Sequence, residues 1–119
     1  MTPFGQRLRE LRRAKGVSQK QMAAALGVSP AYLSALEHGH RGAPGWPMVQ
    51  KVIGYFNVIW DEAEELQRLA ALSDPRIVID TAGLSPRATE LANLLASRIG
   101  AMSEEELEKL LAAVAAPPP

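Results

Sequence analysis

Apolar residues recur at three- and four-residue intervals along most of this chain, so the pattern predicts a series of helices. The first spans residues 4–15. Phe4, Leu8 and Leu11 share one face, Arg7, Arg9, Arg12, Arg13 and Lys15 spread over the others, and Gly16 closes it. Ser18 opens the second as an N-cap, and Gln21 three residues later completes a capping box. Met22, Ala23 and Leu26 form its apolar stripe. Gly27 stops it, because glycine takes the left-handed C-cap conformation without a steric penalty. Val28 plugs the turn. Ser29 caps a third helix with Pro30 at the first helical position, where a missing N–H costs nothing. Leu33 and Leu36 face inward and Gly39 ends it. Residues 40–45 read as a loop. Pro47 opens a fourth helix with Val49, Val52, Ile53 and Phe56 apolar. Asp61 is the expected cap of a fifth, with Ala63, Leu66, Leu69, Ala70 and Leu72 at helical spacing and Glu62, Glu64 and Glu65 near its positive end.

Asp74 and Pro75 break that helix. Residues 76–81 are the one β-rich run, with Ile77, Val78 and Ile79 in succession between Pro75 and Gly83. Ser85 and Pro86 start a sixth helix with Ala88, Leu91, Leu94, Leu95 and Ile99 inward, ended by Gly100. Ser103 and Glu106 make a capping box for a seventh, with Leu107, Leu110, Leu111 and Val114 apolar. A lone strand leaves its backbone groups unpaired. It is expected either to pair with the same strand of a second molecule or to be an extended linker. The expected fold is therefore mainly α: a five-helix domain over residues 1–73, a short strand and two helices for dimerisation over 74–116, and a disordered tail at 117–119. Ile77, Val78, Ile79, Leu91 and Leu95 are the expected dimer contacts.

Charge changes the picture more than composition does. The 119 residues carry 13 Lys/Arg and 13 Asp/Glu. Residues 1–57 hold eight basic and two acidic side chains, a balance of +6, and residues 58–119 hold five and eleven, a balance of −6. A basic half is the footprint of a phosphate-binding face, and an acidic half points away from it. The absence of Cys excludes disulfides, thiolate metal sites and a cysteine nucleophile. No nucleophile–base pair, P-loop or dinucleotide loop is present, so an enzyme is not expected, nor a metal or cofactor. No apolar run is long enough to span a bilayer, which gives the expectation of a cytoplasmic protein, nucleoid-associated when bound to DNA.

Two short helices joined by a tight Gly-containing turn present the second to the DNA major groove. Residues 4–57 resemble the XRE family of helix-turn-helix regulators related to phage Cro and the phage repressors. The resemblance rests on Phe4-Gly5-Gln6-Arg7-Leu8-Arg9-Glu10-Leu11-Arg12-Arg13, on Gly16-Val17-Ser18-Gln19 and on Leu36-Glu37-His38-Gly39. It departs in the loop at 40–45, which is longer and richer in glycine. The tail is similar to that of a bacterial XRE subfamily. The resemblance implies a repressor-like helix-turn-helix fold that binds duplex DNA, and a homodimer formed by pairing of the strand at 76–81 about a two-fold axis is expected to match a palindromic operator. It puts Pro30, Ala31, Ser34 and Ala35 on base edges, with Ser29 and Tyr32 at the groove edge, Gln19 on a phosphate and Lys20 assisting. Glu37 stands where the family has a structural acid, expected to tie the end of helix 3 to helix 1 or the next loop. None of the four base-facing residues is Gln, Asn or Arg, so direct readout is expected to be thin, with DNA shape and the loop at residues 38–42 as candidates for the rest.

Other residues are read from their surroundings. Arg41 is the one long cation of its loop, for a phosphate or minor-groove contact, against a solvated surface role; His40 lies beside it. His38 and His40 suit a C-capping loop better than a metal site. Tyr32 either reaches DNA or packs on helix 2. Trp46 and Trp60 are expected as core or interface anchors. The arginines of helix 1 and Lys15 are expected to supply long-range attraction. The leading expectation is a transcription regulator, a repressor or autoregulator. The alternative is a protein-interaction module, antitoxin-like, whose DNA binding is secondary. Its tail would then be disordered until a partner binds, whereas three capped helices suggest self-sufficiency. Sixty residues are short for a small-molecule effector pocket.

Overall fold

The computed structural model describes residues 1–40 and 43–116. It divides into two units, Met1–Ile77 and Val78–Pro119. The first holds α1 (Pro3–Lys15), α2 (Gln19–Leu26), α3 (Pro30–His38), α4 (Trp46–Phe56) and α5 (Asp61–Ala71). The second holds α6 (Pro86–Arg98), a 3-10 turn (Ile99–Ala101) and α7 (Glu104–Ala115). No helix among the described residues is long and apolar enough to cross a membrane.

Caps decide where the helices of the first unit start and stop. Ser18 and Gln21 form the reciprocal capping box of α2, and Ser29 Oγ accepts from Tyr32 N–H at α3. Gly16, Gly27 and Gly39 close α1, α2 and α3 in the left-handed region, at φ 74°, 73° and 76°. The start of α1 is completed from two directions. Thr2 Oγ1 accepts from Gly5 N–H, and Ser73 Oγ, from beyond α5, accepts from Phe4 N–H at 2.9 Å. With Pro3 lacking a donor, the first turn has its N–H groups satisfied. Ser73 in turn donates to Leu69 O, and its burial (2% exposed) makes it a tie between the two ends of the unit.

Around these helices lies one core. Phe4 and Leu8 of α1, Met22, Ala23 and Leu26 of α2, Leu33 and Leu36 of α3, Val49 and Val52 of α4, Val58, and Leu66 and Ala70 of α5 are all buried together. α1 packs on α3 and α5, α2 on α3 and α4, and α4 on α5. Gly5 permits the closest approach: a Cβ there would sit 2.5 Å from Leu36 O.

Several expectations fail in instructive ways. Residues 76–81 form no strand, and no strand occurs among the described residues. Ile77, Val78 and Ile79 are 70%, 95% and 57% exposed. β-propensity measures fit to a pleated, half-buried surface, and among the described residues there is no sheet for this run to join. Asx turns organise the run instead, with Asp74 Oδ1 accepting from Arg76 N–H and Asp80 Oδ1 from Ala82 N–H. Trp60, not Asp61, occupies the N-cap of α5, and Trp46, not Pro47, is the first residue of α4. Neither tryptophan is in the core: they are 64% and 80% exposed. Trp60 also has positive φ (54°, with ψ −125°), a region that favours glycine. α6 ends at Arg98, before Gly100, and α6 and α7 bury none of their residues.

Candidate nucleic-acid interface

α3 begins on the surface and ends in the interior. Ser29, Pro30 and Ala31 are exposed at its start, Tyr32, Ser34 and Ala35 are half-buried, and Leu33, Leu36 and Glu37 are buried. Its first turn has no acid, so the positive end of the helix is not neutralised locally. Tyr32, half-buried, packs against the core cluster. Ser34 lies one turn before His38, whose Nδ1 is 2.7 Å from Ser34 O and 3.4 Å from Ser34 Oγ. His38 and His40 rings are roughly parallel, 6.3 Å apart, and both residues are exposed. Lys20 is exposed on α2. Arg41 lies outside the described residues.

What fixes the attitude of α3 is a buried carboxylate. Glu37 is fully buried (0% exposed) and accepts from Arg12 of α1 in a two-pronged pair, Nε to Oε2 at 2.8 Å and Nη2 to Oε1 at 3.2 Å. Arg12 Nη1 also donates to Val17 O at 3.1 Å, in the α1–α2 turn. Gln19 Nε2 donates to Glu37 Oε1 at 3.3 Å. One carboxylate therefore ties α1, the start of α2 and the end of α3 together. The acid-tie expectation for Glu37 matches this geometry, with helix 1 as the partner.

Arg12 is different from its expected role. Its side chain is 14% exposed and committed to Glu37, so it is not part of a diffuse positive surface. A signal existed in the pattern: Arg12 continues the Phe4–Leu8 spacing by one more turn, and Glu37 follows Leu33 by four. Opposite charges at two core-facing positions mark a buried pair. Lys15 is engaged too, donating to Tyr55 O at 3.1 Å with its ammonium 4.4 Å from the Tyr55 ring centre. Arg7 pairs with Glu10 at 3.3 Å. Gln19, expected on a phosphate, is half-buried with its amide turned to Glu37. Its backbone still occupies the first position of α2.

Residues 3–73 match the helix-turn-helix domain family. The chain is 41% identical over 61 residues to the uncharacterized HTH-type transcriptional regulator RghRB of Bacillus subtilis (strain 168), an alignment covering 51% of this chain and 44% of that protein. It is 36% identical over 59 residues to the uncharacterized HTH-type transcriptional regulator YazB of the same organism, covering 50% of this chain and 84% of that one. The chain thus spans less than half the length of the first relative. No solved structure matches it significantly. The capped pair α2–α3, the core that holds it and the match across residues 3–73 lead to one conclusion: the chain belongs to the helix-turn-helix domain family, of the XRE-like kind.

Proposed function

We propose that this protein binds double-stranded DNA sequence-selectively through α3 and acts as a transcriptional regulator, a repressor or autoregulator. The observation that carries the reading is the two-ended character of α3. Ser29, Pro30 and Ala31 project at an acid-free helix start, while Glu37 anchors the other end to Arg12. A helix so held can enter a major groove without shifting on its support. Pro30, Ala31, Ser34 and Ala35 face base edges, where apolar contact with thymine methyls and one hydroxyl give modest discrimination. Ser29, Tyr32, Lys20, His40 and Arg41 position the backbone. Gln19 contributes through its backbone N–H at the start of α2, since its side-chain amide serves Glu37. With so few base-specific donors, DNA shape carries the remaining selectivity. The operator is a palindrome read by a homodimer in the cytoplasm. The naming of both Bacillus subtilis relatives as HTH-type transcriptional regulators supports the same reading.

Ala31→Glu tests it. The site is exposed, and an acid near a helix start does not destabilise the helix. A carboxylate there would oppose the phosphates and occupy the base edge. Duplex affinity is expected to fall at least about tenfold with the melting temperature unchanged. Unchanged affinity would remove α3 as the reader. The second reading, a protein-interaction module, draws on the lack of any buried residue in α6 and α7.

A further inference from the structure

The unit Val78–Pro119 has helices but, among its described residues, no buried side chain. Every residue of α6 and α7 is exposed or half-buried. α6 packs on the 3-10 turn that follows it, while α6 and α7 barely touch each other. Leu91, Leu94 and Ile99 are 57%, 46% and 55% exposed, and Leu111 and Val114 are 68% and 83% exposed. A segment of about 40 residues needs a disulfide, a metal or a partner to hold it. The chain has no Cys, and the described residues contain no cluster able to hold a metal ion. A partner remains.

Charge layout says which. On α6, Arg87, Leu91, Leu94 and Arg98 recur at one-turn intervals, an apolar stripe with a cation at each end. On α7, Leu107, Leu110, Leu111 and Val114 form the stripe, with acids in the first turn and no base in the last. Glu105 is paired with Lys109 and Glu106 is bound by Ser103, which leaves Glu104 flanking the stripe. The helices are 13 and 12 residues long, about 20 and 18 Å, so they match end to end. Two copies of α6 packed antiparallel would set Arg87 against Arg98. Two copies of α7 would gain no charge pair. α6 against α7 satisfies both ends: Arg98 meets Glu104, and Arg87 meets the carbonyl end of α7, where a cation is favoured. The acidic balance of residues 58–119 opposes nucleic acid and anionic membranes as occupants.

We propose that a second copy of this chain covers these faces, by exchange: α6 of each chain packs antiparallel on α7 of the other, forming a four-helix bundle around Leu91, Leu94, Leu95, Leu107, Leu111 and Val114. This deepens the dimeric reading above, and its test contains no DNA, so its failure and the failure of DNA binding are separate results.

The test is sedimentation equilibrium of the full chain, of Arg98→Glu, of Glu104→Arg, and of the two variants mixed in equal amounts. Wild type is expected to dimerise at micromolar concentration. Each variant alone sets like charges together at both contacts and should dimerise about tenfold to a hundredfold more weakly. The mixture restores an opposite pair at both contacts and should return to wild-type affinity. Both substitutions also oppose a helix dipole, and the mixture carries the same burden, so loss of helix cannot imitate this recovery. A monomeric wild type at 100-fold higher concentration, variants that dimerise like wild type, or a mixture no better than its components would each overturn the exchange.

Discussion

Replacing Arg12 with Leu should cripple the first unit, although Arg12 is one of eight cations in its half of the chain. The substitution removes both prongs of the pair at 2.8 and 3.2 Å and leaves Glu37, fully buried, with only the Gln19 amide at 3.3 Å among the described residues. Removing one partner of a buried pair costs about 3–5 kcal/mol, because the remaining charge is desolvated and unpaired. A unit the size of Met1–Ile77 has about 4–12 kcal/mol of stability in total, so a large share of it is at stake. Urea unfolding followed by far-UV circular dichroism reads the loss. With a slope of about 1 kcal/mol per molar urea, the midpoint should fall by roughly 3–5 M, or the variant should be unfolded in buffer. Tryptophan fluorescence is the wrong probe, since Trp46 and Trp60 are exposed already. The control is Arg12→Leu with Glu37→Leu. Replacing both charges with apolar groups removes the orphaned carboxylate and should recover most of the loss. A single variant within about 1 kcal/mol of wild type would refute the buried tie.

Three further outcomes follow from the geometry. Gly5→Ala should destabilise by about 1–2 kcal/mol in the same unfolding assay, because a Cβ 2.5 Å from Leu36 O forces α1 off α3 by more than alanine's helix preference returns; a stabilised variant would mean the two helices are farther apart. Trp60→Gly should hold stability or raise it by about 1 kcal/mol, as glycine relieves a positive φ and an exposed ring has little packing to lose; a clear drop would place the ring in a contact. Ser34→Ala and Ala31→Gln should change which duplex sequence is preferred, measured by competition binding, whereas a uniform loss across sequences would assign both residues to backbone contact.

The first unit was legible because its local signals agree with one another. Ser18, Gln21, Ser29 and Pro30 mark starts that the apolar stripes and Gly16, Gly27 and Gly39 then confirm. Ser73 was not legible, because its role depends on a contact 69 residues away, with Phe4. Arg12 was misread because a cation on a basic helix looks solvated until its spacing from Phe4 and Leu8 is weighed. Gln19 was half-legible: its position at a helix start is local, but its amide's turn toward Glu37 is tertiary. Ile77, Val78 and Ile79 misled because their β-branching speaks of a surface to cover, and all three stand exposed. The same holds for Leu91 and Leu94. Periodicity marks which face of a helix wants burial, while the partner that buries it is written elsewhere, here by the placement of Arg87, Arg98 and Glu104.

The central claim is that α3 reads duplex DNA sequence, and one measurement reaches it most directly. The full-length protein is used to select bound duplexes from a random pool at near-physiological salt, and the retained sequences are read. An enriched palindrome is expected, with half-sites about one helical turn apart and thymine at the positions that Ala31 and Ala35 face. Retention without enrichment, collapsing as salt rises, would contradict it and leave only attraction to phosphate.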